Sequence, residues 1–308
     1  MRSFFDPAWM MTPQARLLFS DLMIAAGSIS DPDQFCRSFD QSFQRLGLSH
    51  VALSVQRRSA AQLGRYFDTM EVGSDAIDLT WYDTVACLTV HTFMGQDTGP
   101  RIMTAFQELA TNDAMGLIID LRDNPGGAFA MRNLVGHCLS GEVDAGMFLG
   151  RRWYAETDLV PDRAQIEALI PWQGTSVVDL WRHLATHPIT RVQFLPLRPT
   201  YRGPIAILIN GRTQSAAELV AELLRSTRGA RLVGEPSAGA MLVQRPFDVG
   251  DQFTLSLPVA DYISHGSGRI EGSGLVPDIN ARTQDARSVA QSMLSEMSPI
   301  GGNAEDPE

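Results

Sequence analysis

Ser215 has the residue type and the position that nucleophilic chemistry needs. It follows an apolar run, Pro204 to Ile209, that predicts a buried strand. It precedes residues 216–224, in which apolar side chains recur at three- and four-residue spacing and predict a helix. Because N–H groups of a first helical turn have no partner within the helix, a serine here could attack a carbonyl while they stabilise the oxyanion. Serine is also a common helix cap, so a capping role stays open.

Gly126 and Gly127 follow a second predicted strand, residues 115–121, and precede a predicted helix at residues 128–139. Glycines let backbone N–H groups approach a guest closely, so this turn is expected to bind an anion. A phosphate is disfavoured, because the turn has neither the GK[ST] ending of a P-loop nor a dinucleotide-binding glycine pattern. Polar neighbours are expected to fix the shape of the turn: Asp120, Asp123 and Asn124.

Composition excludes several classes of protein. A chain of 308 residues that is 44% hydrophobic can form one large domain or two small ones. The formal charge of -10 argues against nucleic acid as a partner, because no surplus of basic residues is available to neutralise phosphates. The three cysteines are widely spaced in apolar contexts and are expected to be small core residues, not a disulfide framework or a metal site: Cys36, Cys87 and Cys138.

Membrane and export signals are weak. No apolar run approaches the roughly 18 residues of a membrane span. The apolar run at residues 17–26 is interrupted by Asp21 and begins too late for a secretory signal. We therefore expect no membrane span and a cytoplasmic location.

The elements that must position these residues alternate between helices and strands. Helical patterns lie at residues 13–48, 97–110, 161–169, 175–187 and 286–297, and the second N-terminal helix is expected to end at Gly47-Leu48. Strand patterns lie at residues 51–55, 85–90, 146–154, 230–233 and 253–259. Residues 56–80 are predicted to form one or two strands with loops, and residues 141–202 are predicted to form a lid or part of the scaffold. Residues 262–278 are predicted to form a glycine-rich loop, and residues 298–308 an acidic tail that frays.

Four segments in order resemble a known family. GLIIDLRDNPGG, GPIAILINGRTQSAAE, LVGEPSAG and GRIEGSGLVPDI are similar to motifs of the C-terminal processing (tail-specific) serine peptidases and their tricorn-core relatives, over about residues 40–280. The resemblance implies an α/β fold with a crotonase/ClpP-like core of repeated strand-strand-helix units behind a small helical N-terminal part. The stretch between His50 and Trp81 is too short for the PDZ domain that many members carry, since a domain needs about 50 residues or more.

The resemblance also assigns roles. Ser215 falls on the family nucleophile, whereas the lysine of the Ser/Lys branch is replaced by Ala240. This departure excludes the Ser/Lys mechanism and leaves an inactive enzyme or the histidine branch. Tricorn-like relatives carry a Ser-His pair after the N-terminal helices and a glutamate in an E-G-x-G-V-x-P-D-like loop, which here correspond to Ser49, His50 and Glu271.

The resemblance thus makes His50 the general base, oriented by Glu271 directly or through the Ser49 hydroxyl. The oxyanion would be bound by N–H groups of Ala216 and of Gly126 or Gly127. No metal or organic cofactor is required. The other histidines match no motif and are expected to be pocket, structural or solvent-facing residues: His91, His137, His183, His187 and His265.

We therefore predict a serine peptidase that acts on a peptide or a small acyl substrate. The predicted organisation is an N-terminal helical part with linking strands at 1–80, a catalytic α/β core at 81–283, and a C-terminal helix with an acidic tail at 284–308. Two alternatives stay open, a non-catalytic ligand-binding protein on the same scaffold and a hydrolase or acyltransferase of a small non-peptide compound. The oligomeric state is left open.

Overall fold

The computed structural model describes residues 4–46 and 49–297. Within these ranges the helices are α1 (Pro13–Ser28), α2 (Pro32–Gln44), α3 (Ala60–Thr69), α4 (Thr98–Thr111), α5 (Met131–Cys138), α6 (Arg151–Tyr154), α7 (Arg163–Glu167), α8 (Val177–Thr186), α9 (Ala216–Arg228) and α10 (Ala286–Met297). The strands are β1 (Ala52–Val55), β2 (Ile77–Tyr82), β3 (Val85–Val90), β4 (Gly116–Asp120), β5 (Val143–Gly150), β6 (Ile189–Phe194), β7 (Ile205–Ile209), β8 (Arg231–Gly234), β9 (Leu242–Val249), β10 (Phe253–Ser264), β11 (Gly268–Arg269) and β12 (Ile279–Asn280). The mixed α/β fold with a helical N-terminal part that the sequence predicts is confirmed.

One six-stranded sheet has the order β12-β8-β7-β4-β3-β2. Its strands are parallel except for the antiparallel pair of β2 and β3. Strands β4 and β7 are buried at every position, because helices cover both faces of a parallel sheet. Their unbroken apolar sequences therefore place the turns after them, with Gly126, Gly127 and Ser215, at the same edge of the sheet.

The helices lie on both faces of this parallel sheet. Ala286 and Ala290 of α10 pack on one face, against Cys87, Ile118 and Leu208. The other face contributes to the main core together with α4, α5 and α9, and that core continues into the second sheet. All three cysteines are buried.

The second sheet is antiparallel and is organised around the long strand β10. The first half of β10 pairs with β1, where Ser256 lies opposite Ala52, and the second half pairs with β5, where Ala260 lies opposite Gly150. Strand β9 follows the other edge of β10, and β6 pairs with β5. Because Ala52 pairs with Ser256 in antiparallel register, the chain just before β1 is directed toward the later part of β10.

The N-terminal helices rest on the β1–β10 side of this sheet. Phe39 and Phe43 of α2 form a small core with Leu18 of α1 and Leu53 of β1. Pro13 and Pro32 occupy first helical turns, where the missing N–H of proline costs no hydrogen bond. No helix within the described ranges is long and apolar enough to cross a membrane.

The structure corrects several predicted elements. Residues 60–69 form helix α3 and not a strand, and a capping box between Ser59 and Gln62, a signal readable in the sequence, begins it. The strand predicted over 146–154 spans 143–150, and helix α6 follows it directly.

The predicted loop at 262–278 begins too early, because β10 continues to Ser264. Strand β6 was not predicted, and neither was β9, whose Pro246 is tolerated because β9 pairs with β10 alone. The helix end predicted at Gly47-Leu48 and the tail at 298–308 lie outside the described residues.

Candidate active site

Ser215 lies between β7 and α9 with an unusual backbone conformation. Its φ of 54° and ψ of −121° fall in a region that residues other than glycine rarely adopt. Such a conformation costs about 1–3 kcal/mol and persists only where the surroundings impose it. An ordinary helix cap has extended backbone angles, so a capping role alone does not explain this geometry.

Glu218 imposes much of that conformation. Its Oε2 accepts hydrogen bonds from the N–H groups of Ser215 at 3.1 Å and Ala240 at 3.0 Å. Its Oε1 accepts from the N–H of Gly239 at 2.7 Å and the Ser237 hydroxyl at 2.6 Å. Burial raises the pKa of Glu218, and these four hydrogen bonds oppose the rise. Glu218 was not among the predicted site residues, although the Ser-x-x-Glu spacing of a capping box was a signal for it.

The glycine turn is held against the serine turn by Asn124. This buried residue accepts the N–H of Gly126 at Oδ1 (2.7 Å), donates from Nδ2 to the Val90 carbonyl (2.7 Å), and accepts the Gln214 N–H at its own carbonyl (3.0 Å). Gly126 has a φ of 88°, and a Cβ there would lie 2.7 Å from the Ser215 Cβ. The two turns therefore touch, and only glycine fits at this contact.

The same contacts distinguish the predicted oxyanion donors. The Gly126 N–H is already donated to Asn124 Oδ1, so of the two glycines predicted as donors Gly127 is the one whose N–H has no such partner. Neither the Ala216 N–H nor the Gly127 N–H has an acceptor among residues 4–46 and 49–297, and both residues line one cavity with Ser215. Ala216 and Gly127 are thus the two N–H groups left open to a bound oxygen.

Ser49 lies between His50 and Glu271. Its Oγ is 2.7 Å from the Nδ1 of His50, and its hydroxyl is a hydrogen-bond partner that lowers the pKa of Glu271. Glu271 is 7% exposed and accepts the N–H of Met241 at Oε2 (2.6 Å). Its pKa is nevertheless raised, because desolvation by burial is the largest effect on it. The three side chains predicted from separate ends of the chain therefore form one contact series.

His50 is held as a neutral imidazole at neutral pH. Burial lowers its pKa from 6.5 to about 4. Its backbone has a φ of 60°, so the chain turns at His50 before it enters β1. The start of β1 is held to α2 by a hydrogen bond from the Leu53 N–H to the Asp40 carboxylate at 2.9 Å. With Nδ1 on Ser49, the other ring nitrogen, Nε2, is the one available to a reacting group.

His50, Ser215, Ala216, Gly126 and Gly127 line a single cavity of about 370 Å³. The residues that the structure describes include no hydrogen bond between Ser215 Oγ and His50. Most of the remaining wall is apolar or aromatic, including Phe67, Met94, Phe129, Phe148, Trp172, Leu180, Trp181 and Met241. The segment 141–202, predicted as lid or scaffold, supplies β5 and β6, two of the six strands of the antiparallel sheet, and side chains of this wall.

The competing histidines lie elsewhere. His91 is half-exposed and pairs with Asp78 at 2.8 Å, and His265 is exposed after the end of β10. His137 is buried, stacks on Phe106 and bonds the Pro199 carbonyl through Nδ1 at 2.7 Å.

His183 and His187 stack on each other at the end of α8, where His183 is half-buried and His187 is exposed. No group of three or more His, Cys, Asp or Glu side chains within the described ranges is placed to hold a metal ion.

Ala240 is the residue that the sequence resemblance predicts at the position of the lysine in the Ser/Lys branch. Its carbonyl accepts the Ser215 N–H at 2.9 Å, so its backbone supports the serine turn. The 308 residues contain no lysine at all, since each of the 25 basic residues is an arginine. No other position of this sequence can therefore supply a lysine base.

A serine at a strand-to-helix turn, with open backbone N–H groups and a histidine in the same cavity, is the arrangement that defines serine hydrolases as a class. Residues 84–281 match the family model described as Peptidase family S41. That match covers more than half of the chain, and the chain belongs to this family of serine-type peptidases.

The relatives differ from this chain in length. The carboxyl-terminal-processing protease of Synechocystis sp. is 27% identical over 180 residues, which are 58% of this chain and 34% of that protein. The chain spans about a third of the length of the first curated relatives it matches.

Two solved structures show the fold more completely. A lipoprotein from Streptococcus agalactiae has a TM-score of 0.57 at 16% identity and covers 93% of this chain and 90% of its own. A protein from Parabacteroides merdae, described as a candidate peptidase, has a TM-score of 0.58 at 13% identity. The match covers 86% of this chain and 83% of that protein's chain. At these identities the likeness concerns the fold alone.

Proposed function

We propose that this protein is a serine hydrolase that cleaves peptide bonds through an acyl-enzyme, with Ser215 as nucleophile and His50 as general base. The observation that carries the proposal is the series Glu271–Ser49–His50, in which Ser49 Oγ is 2.7 Å from His50 Nδ1, beside the cavity that His50 shares with Ser215. Membership of the serine-type peptidase family supports a peptide as the substrate. We also propose that the α/β core is ClpP/crotonase-like, and membership of this peptidase family supports that assignment.

The series gives His50 the tautomer that a base requires. In this proposal the Nδ1–H of His50 donates to Ser49 Oγ, which lies 2.7 Å away, and the Ser49 hydroxyl donates to the carboxylate of Glu271. Nε2 then carries a free electron pair for the proton of Ser215 Oγ. As His50 becomes an imidazolium, the negative charge of Glu271 stabilises it through the Ser49 hydroxyl.

The chemical steps follow from these positions. Ser215 Oγ attacks the carbonyl carbon and gives its proton to His50, and the oxyanion is bound by the N–H groups of Ala216 and Gly127. His50 returns the proton to the leaving amine, which leaves Ser215 acylated. A water molecule then repeats the sequence and releases the acid. Loss of one oxyanion donor typically costs about 100- to 1,000-fold in rate.

The absence of a Ser215–His50 hydrogen bond in the described residues concerns the free enzyme. Catalytic hydrogen bonds are often long before the substrate binds and tighten in the complex. In this proposal, substrate entry removes water from the cavity and brings Ser215 Oγ and His50 Nε2 within hydrogen-bond distance.

A binding-only role is the second candidate, and the apolar, aromatic wall of the cavity favours it. A small non-peptide acyl substrate would suit the same wall. A binding protein would not be labelled by a serine-reactive probe, and a hydrolase of small acyl compounds would be labelled but would not cleave peptides.

Labelling with a fluorophosphonate separates hydrolase from binder. We expect the probe to modify Ser215, and the labelling to disappear in Ser215→Ala and in His50→Ala. His91→Ala, which changes a half-exposed histidine outside the cavity, is the matched control and should label normally. A folded protein that does not label at Ser215 would rule out the hydrolase. Peptide libraries compared with simple esters and amides then separate a peptidase from a hydrolase of small acyl compounds.

A further inference from the structure

Arg132 places a guanidinium on the wall of the cavity that contains Ser215 and His50. Its Nη2 donates to the Trp172 carbonyl at 3.0 Å, and its Cζ lies 5.2 Å from the centre of the Trp172 ring and 5.5 Å from that of Phe129. Two aromatic faces and one carbonyl thus fix the position of this side chain.

No carboxylate pairs with Arg132 among residues 4–46 and 49–297. Two arginines that are well buried do have such partners, since Arg122 pairs with Asp120 and Arg191 pairs with Asp144 at 2.6 Å. These carboxylates raise the pKa of Arg122 and Arg191, whereas burial alone lowers the pKa of Arg132. Arg132 therefore bears a desolvation cost that no charge within the described chain offsets.

The guanidinium retains unused donors. A guanidinium has five N–H groups in a flat fork, and the carbonyl of Trp172 accepts a hydrogen bond from only one nitrogen, Nη2. Within the described chain, Nε and Nη1 donate no hydrogen bond, and neither atom is fully buried. Both can therefore donate to a molecule in the cavity. Such a fork matches the two oxygens of a carboxylate.

We propose that Arg132 binds a carboxylate of the substrate, so that the site selects peptides in which a carboxylate lies next to an apolar side chain. This inference rests on the proposed function, because it names the substrate class of the same cavity. The apolar side chain would pack on the aromatic wall while the carboxylate binds the Arg132 fork. A free chain end and the side chain of Glu or Asp present the same chemistry, and the experiment distinguishes them.

The test measures binding without turnover. In a Ser215→Ala protein, tryptophan fluorescence reports on the cavity, because Trp172 and Trp181 line it. Two ligand pairs are titrated, N-acetyl-Leu-Phe against its C-terminal amide, and N-acetyl-Leu-Glu-amide against N-acetyl-Leu-Gln-amide. We expect the acid of at least one pair to bind about tenfold or more tightly than its neutral partner, the range of a charge-assisted hydrogen bond. The pair that shows the difference identifies the source of the carboxylate.

Variants of Arg132 assign the preference. Arg132→Met keeps much of the stem and should bring acid and amide to nearly equal affinity, whereas Arg132→Lys, which keeps the charge but loses the fork, should retain part of the preference. Arg58→Met is the matched control, because Arg58 also lies over a ring, that of Tyr66 at 4.4 Å, but outside the cavity. Its acid preference should not change.

Three results would overturn the inference. These are equal binding of acid and amide in both pairs, no binding by any of the four ligands, or an acid preference that survives in Arg132→Met with normal circular dichroism. Hydrolysis is tested separately by fluorophosphonate labelling of the native chain. A protein that prefers the acids and yet fails to label would refute the hydrolase and leave the role of Arg132 standing.

Discussion

At the scale of single residues, the proposed mechanism makes activity depend on the protonation of His50. Its burial lowers its pKa from 6.5 to about 4, so the imidazole is a free base over most of the acid range. A base must be unprotonated to accept the proton of Ser215, and activity is therefore lost as the pH falls through this pKa. We expect kcat/KM to fall with a midpoint near pH 4, measured in a pH series with a cleaved peptide. Circular dichroism at each pH controls for unfolding, and a midpoint near 6.5 would contradict the assignment.

Ser49 tests whether Glu271 acts on His50 through the intervening hydroxyl. Ser49→Ala removes the partner of His50 Nδ1, so the ring loses its fixed tautomer and the link to the carboxylate. We expect kcat to fall by about 10- to 100-fold with little change in KM, a part of the roughly 100- to 10,000-fold that general base catalysis contributes. Ser54→Ala, on the exposed side of β1, is the control. A Ser49→Ala enzyme with the activity of that control would show that the hydroxyl has no such role.

The sequence predicts these residues unequally. The turn at Ser215 is predicted by local patterns, because an apolar strand and an amphipathic helix flank it. The contact of Ser49 with Glu271 is foreseeable only from the resemblance to a family, since more than two hundred residues separate the two. Glu218 is a mixed case: its bond with the Ser215 N–H has a local signal in the capping-box spacing. Its other three hydrogen bonds could not be predicted, because they depend on how the loop of Ser237 to Ala240 folds back over the helix start.

At the scale of elements, the site depends on two strand-to-helix turns in contact. Gly126→Ala would place a methyl group 2.7 Å from Ser215 Cβ and 3.0 Å from the Ala216 nitrogen, at a φ of 88° that alanine rarely adopts. We expect a fluorophosphonate labelling rate at least about 100-fold lower, because the methyl fills the space of the oxyanion. Gly141→Ala, which meets no atom within 4 Å, is the matched control. Normal labelling of a folded Gly126→Ala protein would mean that the oxyanion lies elsewhere.

The elements were predicted best where burial is complete. Strands β4 and β7 are apolar throughout and were located to within a residue at each end. Helix α3 was missed because its sequence is half polar and its Phe67 packs on Trp181, a distant residue that no local pattern identifies. Which glycine offers its N–H was equally hidden, because that depends on the side-chain amide of Asn124.

At the scale of the whole molecule, a buried ion pair joins the parallel sheet to the C-terminal helix. Asp120 at the end of β4 is 2% exposed and pairs with Arg122 at 2.5 Å and with Arg287 of α10 at 3.3 Å. Asp120→Asn leaves two arginines with a neutral partner, and breaking a buried pair costs about 3–5 kcal/mol of unfolding free energy.

Urea unfolding checks this value. Glu167→Gln, which removes an exposed pair with Arg163, is the control and should cost less than about 1 kcal/mol. Equal stability of the two variants would contradict a structural role for Asp120.

The arrangement of the two sheets was beyond prediction from sequence. The apolar and alternating patterns indicate that strands exist, but pairing depends on contacts between distant segments. The pairing of Ala52 with Ser256 is an example, since neither strand carries a local signal for the other.

The pairing of β1 with β10 has a consequence for how the protein is made. Synthesis runs from the amino end, so Ser49 and His50 leave the ribosome long before the strand that receives them and before Glu271. In the proposed mechanism, a nascent chain of any earlier length has an imidazole with no carboxylate behind it. A translation intermediate that ends before Glu271 therefore lacks the complete site, and hydrolysis becomes possible only after Glu271 has emerged.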